Sequence, residues 1–268
     1  MYSFASKFAL VTGAGSGLGL SYVRELLLKG VGGVTLVDFN ESLGGSVSAA
    51  LNKEFGGRVI FVRADVANLE QFEGAFQTSI SHWKHLDIVI NNAGVLDEEK
   101  WLKTIAVNCE GTTQGAHLGF KYMSKIKGGR GGIIVNASSI VGVNHYYSAP
   151  VYSATKSFII ALSRAMGTSI YYEHTGVKVM AICPGITSTP IYNDILNNVP
   201  LSIVPAVKER IAVDVKSFSL QSVDSVAKAM VKIIQEGSNG SVWIAEGGEP
   251  PYKVELPTIE DLKKSPTT

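Results

Sequence analysis

Residues 8–19, Phe8-Ala-Leu-Val-Thr-Gly-Ala-Gly-Ser-Gly-Leu-Gly19, join a short apolar run to a glycine-rich turn, and an apolar-periodic helix follows. Glycines at such a turn allow a tight bend and let backbone N–H groups at the helix start approach a pyrophosphate. A turn with a packing role alone is the alternative, but the strand before it and the helix after it favour dinucleotide binding. The residues predicted to bind the cofactor here are Gly13, Gly15, Ser16, Gly17, Leu18 and Gly19.

An acidic residue ends the next predicted strand, Gly33-Val-Thr-Leu-Val-Asp38. A carboxylate at this place binds both hydroxyls of an adenosine ribose and repels a 2′-phosphate. The next residue is Phe39 and the glycine turn contains no Arg or Lys, so the sequence predicts that Asp38 and Phe39 bind NAD rather than NADP. The alternative role of Asp38 is a helix cap, for which Asn40 and Ser42 are also available.

Strands and helices alternate along most of the chain, which predicts a single α/β domain with a doubly wound parallel sheet and helices on both faces. Apolar runs predict seven strands, at residues 8–12, 33–38, 58–63, 86–90, 132–136, 178–182 and 241–245. Apolar periodicity predicts helices at residues 41–55, 69–83, 101–123, 152–172 and 222–236. We expect a Rossmann fold over residues 1–248 and an extended tail at 249–268. Residues 190–219 form either an apolar flap over a pocket or a packed excursion.

Several predicted strands end in small or polar residues, and ligands of open α/β sheets bind in the crevice at those ends. After the third strand, the Asp65 carboxylate is placed to bind an adenine amino group or to cap the next helix. The fourth strand ends in Asn-Asn-Ala-Gly, and Pro-Gly and three hydroxyl residues follow the sixth. The further predicted cofactor residues are Asp65, Val66, Asn92, Ala93, Gly94, Pro184, Gly185, Thr187, Ser188 and Thr189.

A hydroxyl, a phenol and an ammonium group follow the fifth predicted strand, in Ser138-Ser139 and Tyr152-Ser-Ala-Thr-Lys156. Tyr152 and Lys156 are four residues apart on a predicted helix, so they share one face. A nearby ammonium favours the ionised phenol by roughly 3–4 kcal/mol and lowers the tyrosine pKa from its usual value of about 10. The spacing therefore predicts a tyrosine that accepts a proton from an alcohol, although it is also typical of a surface pair.

The composition excludes several classes of partner. The chain has 268 residues, with 24 basic and 23 acidic side chains, so we expect no nucleic-acid partner. We expect neither a membrane span nor a signal peptide, because no apolar run approaches about 18 residues and residues 1–12 lack a basic leader. Cys109 and Cys183 show no CxxC pattern, which favours a reducing compartment and predicts a cytoplasmic location.

Two other kinds of site are disfavoured by the sequence. Only His82 and His85 lie close together among the histidines, and no acid or cysteine at ligand spacing accompanies them, so no metal is expected. Ser139 lacks the G-x-S-x-G turn of an acyl-transfer nucleophile.

Six motifs resemble, in order and spacing, those of the classical short-chain dehydrogenase/reductase family, over nearly the whole chain. They are Thr12-Gly-Ala-Gly-Ser-Gly-Leu-Gly19, Asn91-Asn-Ala-Gly94, Asn108, Ser139, Tyr152-x-x-x-Lys156 and Pro184-Gly185. Within the family, Leu36-Val-Asp38, Lys103-Thr-Ile-Ala-Val-Asn108 and Gly128-Gly-Arg-Gly-Gly-Ile-Ile134 are similar to segments of NAD-dependent 15-hydroxyprostaglandin dehydrogenases and insect-type alcohol dehydrogenases.

The resemblance implies a role for each residue of the quartet. Ser139 would bond the reacting oxygen, Tyr152 would take the alcohol proton, and Lys156 would bind the nicotinamide ribose and lower the Tyr152 pKa. Tyr152 and Lys156 are both predicted cofactor-binding residues as well. Asn108 would hold a water that passes the proton to solvent. The resemblance also implies a homodimer built on helices 101–123 and 152–172. A catalytically silent dinucleotide- or lipid-binding protein is the alternative, which the intact quartet disfavours.

One departure from the family concerns the substrate. The prostaglandin branch has a glutamine three residues before its catalytic tyrosine, whereas this chain has Ala149, with His145, Tyr146 and Tyr147 as candidate replacements. The predicted substrate is a lipophilic secondary alcohol or ketone, such as a hydroxy fatty acid, prostaglandin-like lipid, isoprenoid or steroid. A short-chain alcohol of the insect type is the alternative. The predicted substrate residues are Ser139, Tyr146, Ala149 and Ile186.

Overall fold

An eight-stranded sheet organises the chain in the computed structural model, which describes residues 2–197, 204, 207, 218–257 and 259–264. The strand order is β3-β2-β1-β4-β5-β6-β7-β8. Strands β1 to β7 pair in parallel, and β8 pairs antiparallel with β7. The strands are β1 (Phe8–Thr12), β2 (Gly33–Asp38), β3 (Val59–Arg63), β4 (Ile88–Asn91), β5 (Gly132–Ala137), β6 (Val177–Pro184), β7 (Val242–Ala245) and β8 (Tyr252–Val254).

Helices connect these strands and cover both faces of the sheet, so the predicted single-domain, doubly wound α/β fold is confirmed. Within the described ranges they are α1 (Gly17–Leu28), α2 (Glu41–Phe55), α3 (Leu69–Trp83), α4 (Trp101–Ile105), α5 (Gly111–Met123), α6 (Pro150–Met166), α7 (Ser169–Thr175), α8 (Pro190–Asn197), α9 (Val223–Glu236) and α10 (Ile259–Lys264). Each of these helices is too short or too polar to cross a lipid bilayer.

Two buried apolar layers hold the helices against the sheet, because neighbouring strand residues point to opposite faces. One layer contains Val11, Leu36, Tyr22, Leu26, Met230 and Ile233, which come from β1, β2, α1 and α9. The other contains Leu10, Val89, Ile134, Phe72, Phe76 and Ala116, which come from β1, β4, β5, α3 and α5. The carboxyl ends of β1 and β4, whose connections run to opposite sides, therefore meet at one crevice.

Three sequence predictions of the fold are corrected, namely the number of strands, the extended tail and the length of the helix predicted at 152–172. The sheet has eight strands rather than seven, because Tyr252–Val254 of the predicted extended tail pairs with β7, and α10 follows it. The helix predicted at 152–172 ends at Met166 and restarts at Ser169. It breaks at Gly167, whose added Cβ would lie 2.4 Å from the Gly240 backbone.

Two further predictions concern long segments. The helix predicted at 101–123 is confirmed, with a π-helical turn at Ala106–Glu110 between α4 and α5. The flap predicted at 190–219 begins with α8, but residues 198–203, 205–206 and 208–217 lie outside the described residues.

Two neighbouring glycines of α2 test how this helix packs. An added Cβ on Gly44 would lie 2.1 Å from the Phe61 ring, whereas one on Gly45 meets no atom within 4 Å. We expect Gly44→Ala to lower the free energy of unfolding by about 1–3 kcal/mol through overpacking. Gly45→Ala should raise it by up to about 1 kcal/mol, because alanine favours helix. Urea unfolding measures both, and equal effects would contradict this packing.

Candidate active site

The glycine turn after β1 is held by the residues that follow β4. The Thr12 hydroxyl accepts hydrogen bonds from the backbone N–H groups of Asn92 and Ala93, both at 3.0 Å. The Asn92 side-chain amide donates to the Thr12 carbonyl at 2.9 Å. Gly13 has a φ of +61°, and an added Cβ on Gly19 would lie 2.2 Å from the Gly13 carbonyl oxygen. The turn therefore needs glycine at both positions.

The first turn of α1 presents backbone N–H groups to the crevice. Ser16 precedes this helix, its side chain makes no capping hydrogen bond, and no acidic residue lies in the first turn. The N-terminus of a helix carries a partial positive charge, and its first N–H groups lack partners within the helix. This end of α1 is thus suited to bind an anion such as a pyrophosphate.

Asp38 lies at the carboxyl end of β2 and is buried, with 8% of its surface exposed. Its carboxylate accepts hydrogen bonds from the N–H groups of Gly15 and Asn40, both at 2.9 Å. The cap of α2 is Asn40, whose side chain accepts from the Leu43 N–H at 3.0 Å. Asp38 is therefore not the helix cap, and its carboxylate borders the cavity beside the exposed Phe39 ring.

Asp65 follows β3 and also borders the cavity, together with Val66. Its carboxylate accepts a hydrogen bond from the Ala67 N–H at 3.0 Å, so it stabilises its own turn. The cap of α3 is Asn68, whose side chain accepts from the Gln71 N–H at 3.0 Å. Asp65 thus does not cap the helix, and the predicted adenine contact stays a prediction.

A cavity of about 630 Å³ runs along the carboxyl ends of the strands and brings most of the predicted site residues together. This volume is within the range of about 300–1,000 Å³ that is typical of ligand sites. The predicted residues that line it are Gly13, Ser16, Gly17, Leu18, Asp38, Phe39, Asp65, Val66, Asn92, Ala93, Gly94, Ser139, Tyr146, Ala149, Tyr152, Lys156, Pro184, Gly185, Ile186, Thr187 and Thr189.

Four predicted residues do not line this cavity: Gly15, Gly19, Asn108 and Ser188. Gly15 and Gly19 act through the backbone of the turn, and exposed Ser188 donates its N–H to the Gln221 carbonyl at 3.0 Å. Of the three candidate replacements for the family's glutamine, Tyr146 lines the cavity and His145 and Tyr147 do not.

Lys156 is buried on α6, with 4% of its surface exposed. Its ammonium group donates a hydrogen bond to the Ala137 carbonyl oxygen at the end of β5, at 3.0 Å. The same nitrogen lies 5.4 Å from the centroid of the Tyr152 ring. Burial lowers the pKa of Lys156 to about 8, because the charged form loses water.

Tyr152 and Ser139 line the cavity together with Lys156. Burial raises the pKa of Tyr152 to about 12, and the hydrogen bond with Ser139 offsets part of this rise. The sequence predicted a lowered pKa for Tyr152, and this prediction is wrong in direction. The reason is that loss of water around the phenolate outweighs every attraction that its neighbours supply.

Asn108 is fully buried in the π-helical turn and connects two parts of the site. Its side-chain carbonyl accepts from the Val95 N–H, and its amide donates to the Val95 carbonyl, both at 2.9 Å. The amide also donates to the Thr155 hydroxyl on α6 at 3.0 Å. Asn108 therefore connects the segment after β4 to α6, and its predicted water stays a prediction.

Three polar groups at the site were missed by the sequence interpretation. The Ala137 carbonyl and the Thr155 hydroxyl hold Lys156 and Asn108, and neither carries a recognisable motif. Ser148 lines the cavity, and its buried hydroxyl has no hydrogen-bond partner among the described residues. The one available sequence signal for Ser148 was its position next to Ala149, a predicted substrate residue.

The chain is similar to known dehydrogenases over most of its length. The short chain dehydrogenase family model matches residues 7–199. Human 15-hydroxyprostaglandin dehydrogenase [NAD(+)] is 36% identical over 88% of this chain and 89% of the human protein. Alcohol dehydrogenase 1 of Ceratitis capitata is 31% identical over 71% of this chain and 73% of its own length.

Among solved structures, a short chain dehydrogenase/reductase from Burkholderia phymatum in complex with NAD is similar in fold, with a TM-score of 0.78. It is 22% identical and the match covers 91% of this chain and 90% of that one. The family match, the relatives and the ordered motifs agree, and the chain belongs to the short-chain dehydrogenase/reductase family.

Proposed function

We propose that the protein is an NAD-dependent alcohol dehydrogenase that oxidises a lipophilic secondary alcohol to the ketone. The observation that carries this proposal is the placement of Ser139, Tyr152 and Lys156 along one wall of a cavity that Asp38 also lines. An acid–base group and a ribose-binding carboxylate in one cavity are what alcohol–nicotinamide chemistry requires. A silent dinucleotide-binding protein could use the Lys156 ammonium to bind a ribose, but it would not need the Tyr152 phenol beside the Ser139 hydroxyl.

NAD is proposed as the cofactor because the adenosine end of the cavity is acidic. Asp38 would bind the ribose hydroxyls, the N-terminus of α1 the pyrophosphate, and Lys156 the nicotinamide ribose. The human relative is named as an NAD(+) enzyme, and the Burkholderia phymatum neighbour was crystallised with NAD. When bound, NAD supplies the nicotinamide ring that accepts the hydride.

The protein's own residues would accept the proton that the alcohol loses. Tyr152 takes the proton of the alcohol as the oxygen becomes a carbonyl, and Ser139 holds that oxygen by a hydrogen bond. The buried ammonium of Lys156, anchored on Ala137, stabilises the charge that the phenol gains. These groups are fixed before the reaction by the contacts of β5 and α6, so little reorganisation is needed.

A lipophilic substrate is supported by the apolar wall beside the catalytic residues. The aromatic rings of Tyr146 and Phe218 meet edge to face, with centroids 5.8 Å apart. The apolar and aromatic residues that line this part of the cavity are Leu96, Ile140, Val141, Tyr146, Ala149, Ile186, Ile191, Tyr192 and Phe218. A short-chain alcohol, as in the insect relatives, is the second candidate, because 31% identity links the chain to one of them.

Exposed apolar side chains support the predicted homodimer. Trp101 and Leu102 on α4 and Phe158 on α6 are 47%, 66% and 40% exposed. Association of these helices with their copies would bury them. The homodimer and the cytoplasmic location stay predictions.

The proposed function is tested by measuring NADH formation across a panel of alcohols, with NAD and NADP side by side. The panel runs from short aliphatic alcohols through hydroxy fatty acids and prostaglandins to isoprenoids and steroids. Turnover of one lipophilic class with NAD supports the proposal, and turnover of short alcohols alone favours the insect type. NAD binding without turnover of any alcohol or ketone favours the silent protein.

Removal of the Tyr152 hydroxyl should lower turnover strongly while NAD still binds. We expect Tyr152→Phe to lower kcat by roughly 10³-fold or more and Ser139→Ala by roughly 10²-fold, because general acid–base catalysis contributes about 10²–10⁴-fold. Steady-state kinetics and NAD titration measure both effects. Full turnover by Tyr152→Phe would contradict the assignment of Tyr152 as the group that takes the alcohol proton.

The pH dependence should differ between the two directions of the reaction. Burial raises the pKa of Tyr152 to about 12, so the phenolate that oxidation needs becomes more abundant as pH rises. We expect kcat/KM for alcohol oxidation to increase from about pH 6 to about pH 8. The increase should be less steep above pH 8, because burial lowers the pKa of Lys156 to about 8 and the ammonium charge that stabilises the phenolate is lost there. Ketone reduction uses the protonated phenol and should not increase over that range. An oxidation rate that is level from neutral pH upward would show a lowered Tyr152 pKa instead.

The choice between NAD and NADP should depend on the Asp38 charge. A carboxylate and a phosphate about 4 Å apart repel each other by about 4 kcal/mol at an effective dielectric constant near 20. We expect Asp38→Asn to raise the ratio of kcat/KM for NADP to that for NAD by roughly 10²-fold. Glu41→Gln is the matched control, because Glu41 is an exposed acid of α2 that does not line the cavity. Equal ratios in the two variants would contradict the role of Asp38.

A further inference from the structure

Glu98 is a buried carboxylate that the proposed reaction does not use. It lies between β4 and α4, with 5% of its surface exposed. One carboxylate oxygen accepts a hydrogen bond from the Val151 N–H at 3.1 Å, and the other accepts from the Tyr152 N–H at 2.8 Å. A side chain more than fifty residues away in sequence thus binds the backbone of the proposed catalytic tyrosine.

The start of α6 explains why this contact exists. Ala149 precedes the helix and offers no side-chain cap, and Pro150 has no N–H group. The Ser153 N–H already donates to the Ala149 carbonyl at 2.8 Å. Val151 and Tyr152 therefore carry the N–H groups of the first turn that lack a helical acceptor, and Glu98 accepts from both. Its negative charge also lies at the positive end of the helix.

The carbonyl of Tyr152 is held from a second direction. The Thr155 hydroxyl donates to it at 2.8 Å and accepts from the Asn108 amide at 3.0 Å. Asn108 also bonds both backbone groups of Val95, which begins the segment that ends at Glu98. Val95 and Leu96 of this segment line the cavity. The segment Val95–Glu98 thus connects the cavity wall to the backbone of Tyr152 at both of its polar groups.

We propose that Glu98 is a positioning residue that fixes the Tyr152 phenol relative to the substrate and cofactor, an inference that rests on the proposed function. Glu98 does not line the cavity, so it acts through the first turn of α6. Catalysis depends steeply on geometry, and a displacement of about 1 Å costs roughly 10²-fold in rate. Release of the two N–H groups would let this turn unwind and move the phenol.

The test compares Glu98→Ala and Glu98→Gln with Asn68→Ala in the full chain. Asn68 caps α3, does not line the cavity and is the matched control for loss of a helix cap. We expect Glu98→Ala to lower kcat by roughly 10–100-fold with NAD affinity within about twofold of the wild type. Glu98→Gln should be intermediate, because its amide oxygen still accepts one N–H. Asn68→Ala should lower the melting temperature and leave kcat within about twofold.

Several outcomes would overturn the inference. Wild-type kcat in Glu98→Gln, or equal losses of kcat in Glu98→Ala and Asn68→Ala, would assign Glu98 a structural role alone. A parallel loss of NAD affinity would assign it to the cofactor site. Should Glu98→Ala fail to fold, Glu98→Gln decides.

Hydrogen exchange of residues 150–156 separates this inference from the proposed function. We expect faster exchange in Glu98→Ala than in the wild type, and no change in Asn68→Ala. Absence of turnover in the wild type would overturn the proposed function, and this measurement would still report on the Glu98 contact. Unchanged exchange in Glu98→Ala would overturn the contact itself.

Discussion

The hydrogen bond from the buried Lys156 ammonium to the Ala137 carbonyl is the contact on which the site depends. A buried charge is tolerated only when polar groups replace its lost water, so this bond fixes α6 against the end of β5. The Ser138 hydroxyl adds a second link by donating to the Lys156 carbonyl at 2.7 Å. Tyr152 lies one turn before Lys156, and its position follows from this anchoring.

The parallel sheet explains how distant parts of the chain meet in one cavity. The carboxyl ends of parallel strands lie at the same edge, so Asp38 at the end of β2, Asn92 after β4 and Ser139 after β5 face one crevice. The adenosine end and the catalytic end are separated along the crevice by the order of the strands. In the proposed function, one end of the crevice would bind the cofactor and the other would carry the chemistry, with the apolar residues beside Tyr146 selecting the substrate class.

The sequence was sufficient for most of the fold and for the residues with strong side-chain signals. Apolar runs and glycine turns mark the buried parallel strands, because such strands have few other compositions. Strand β8 was missed because its side chains are largely exposed and its pairing is supplied by the edge of β7. The prediction for the pKa of Tyr152 was wrong in direction. The spacing of Tyr152 and Lys156 reveals the neighbouring ammonium but not the loss of water that burial causes. Ala137 binds Lys156 through its backbone carbonyl, and Glu98 binds backbone N–H groups of α6. No sequence motif records contacts of this kind.

In the proposed reaction, a hydride leaves the alcohol carbon for the cofactor while Tyr152 takes the proton. Its most direct test uses a secondary alcohol with deuterium on the carbinol carbon and follows the label by NMR. Deuterium on the nicotinamide ring of the NADH product, with the transfer lost in Tyr152→Phe, is the predicted result. Ketone formation with the label released to water, or a label that stays on the alcohol while NAD is bound, would contradict this reaction.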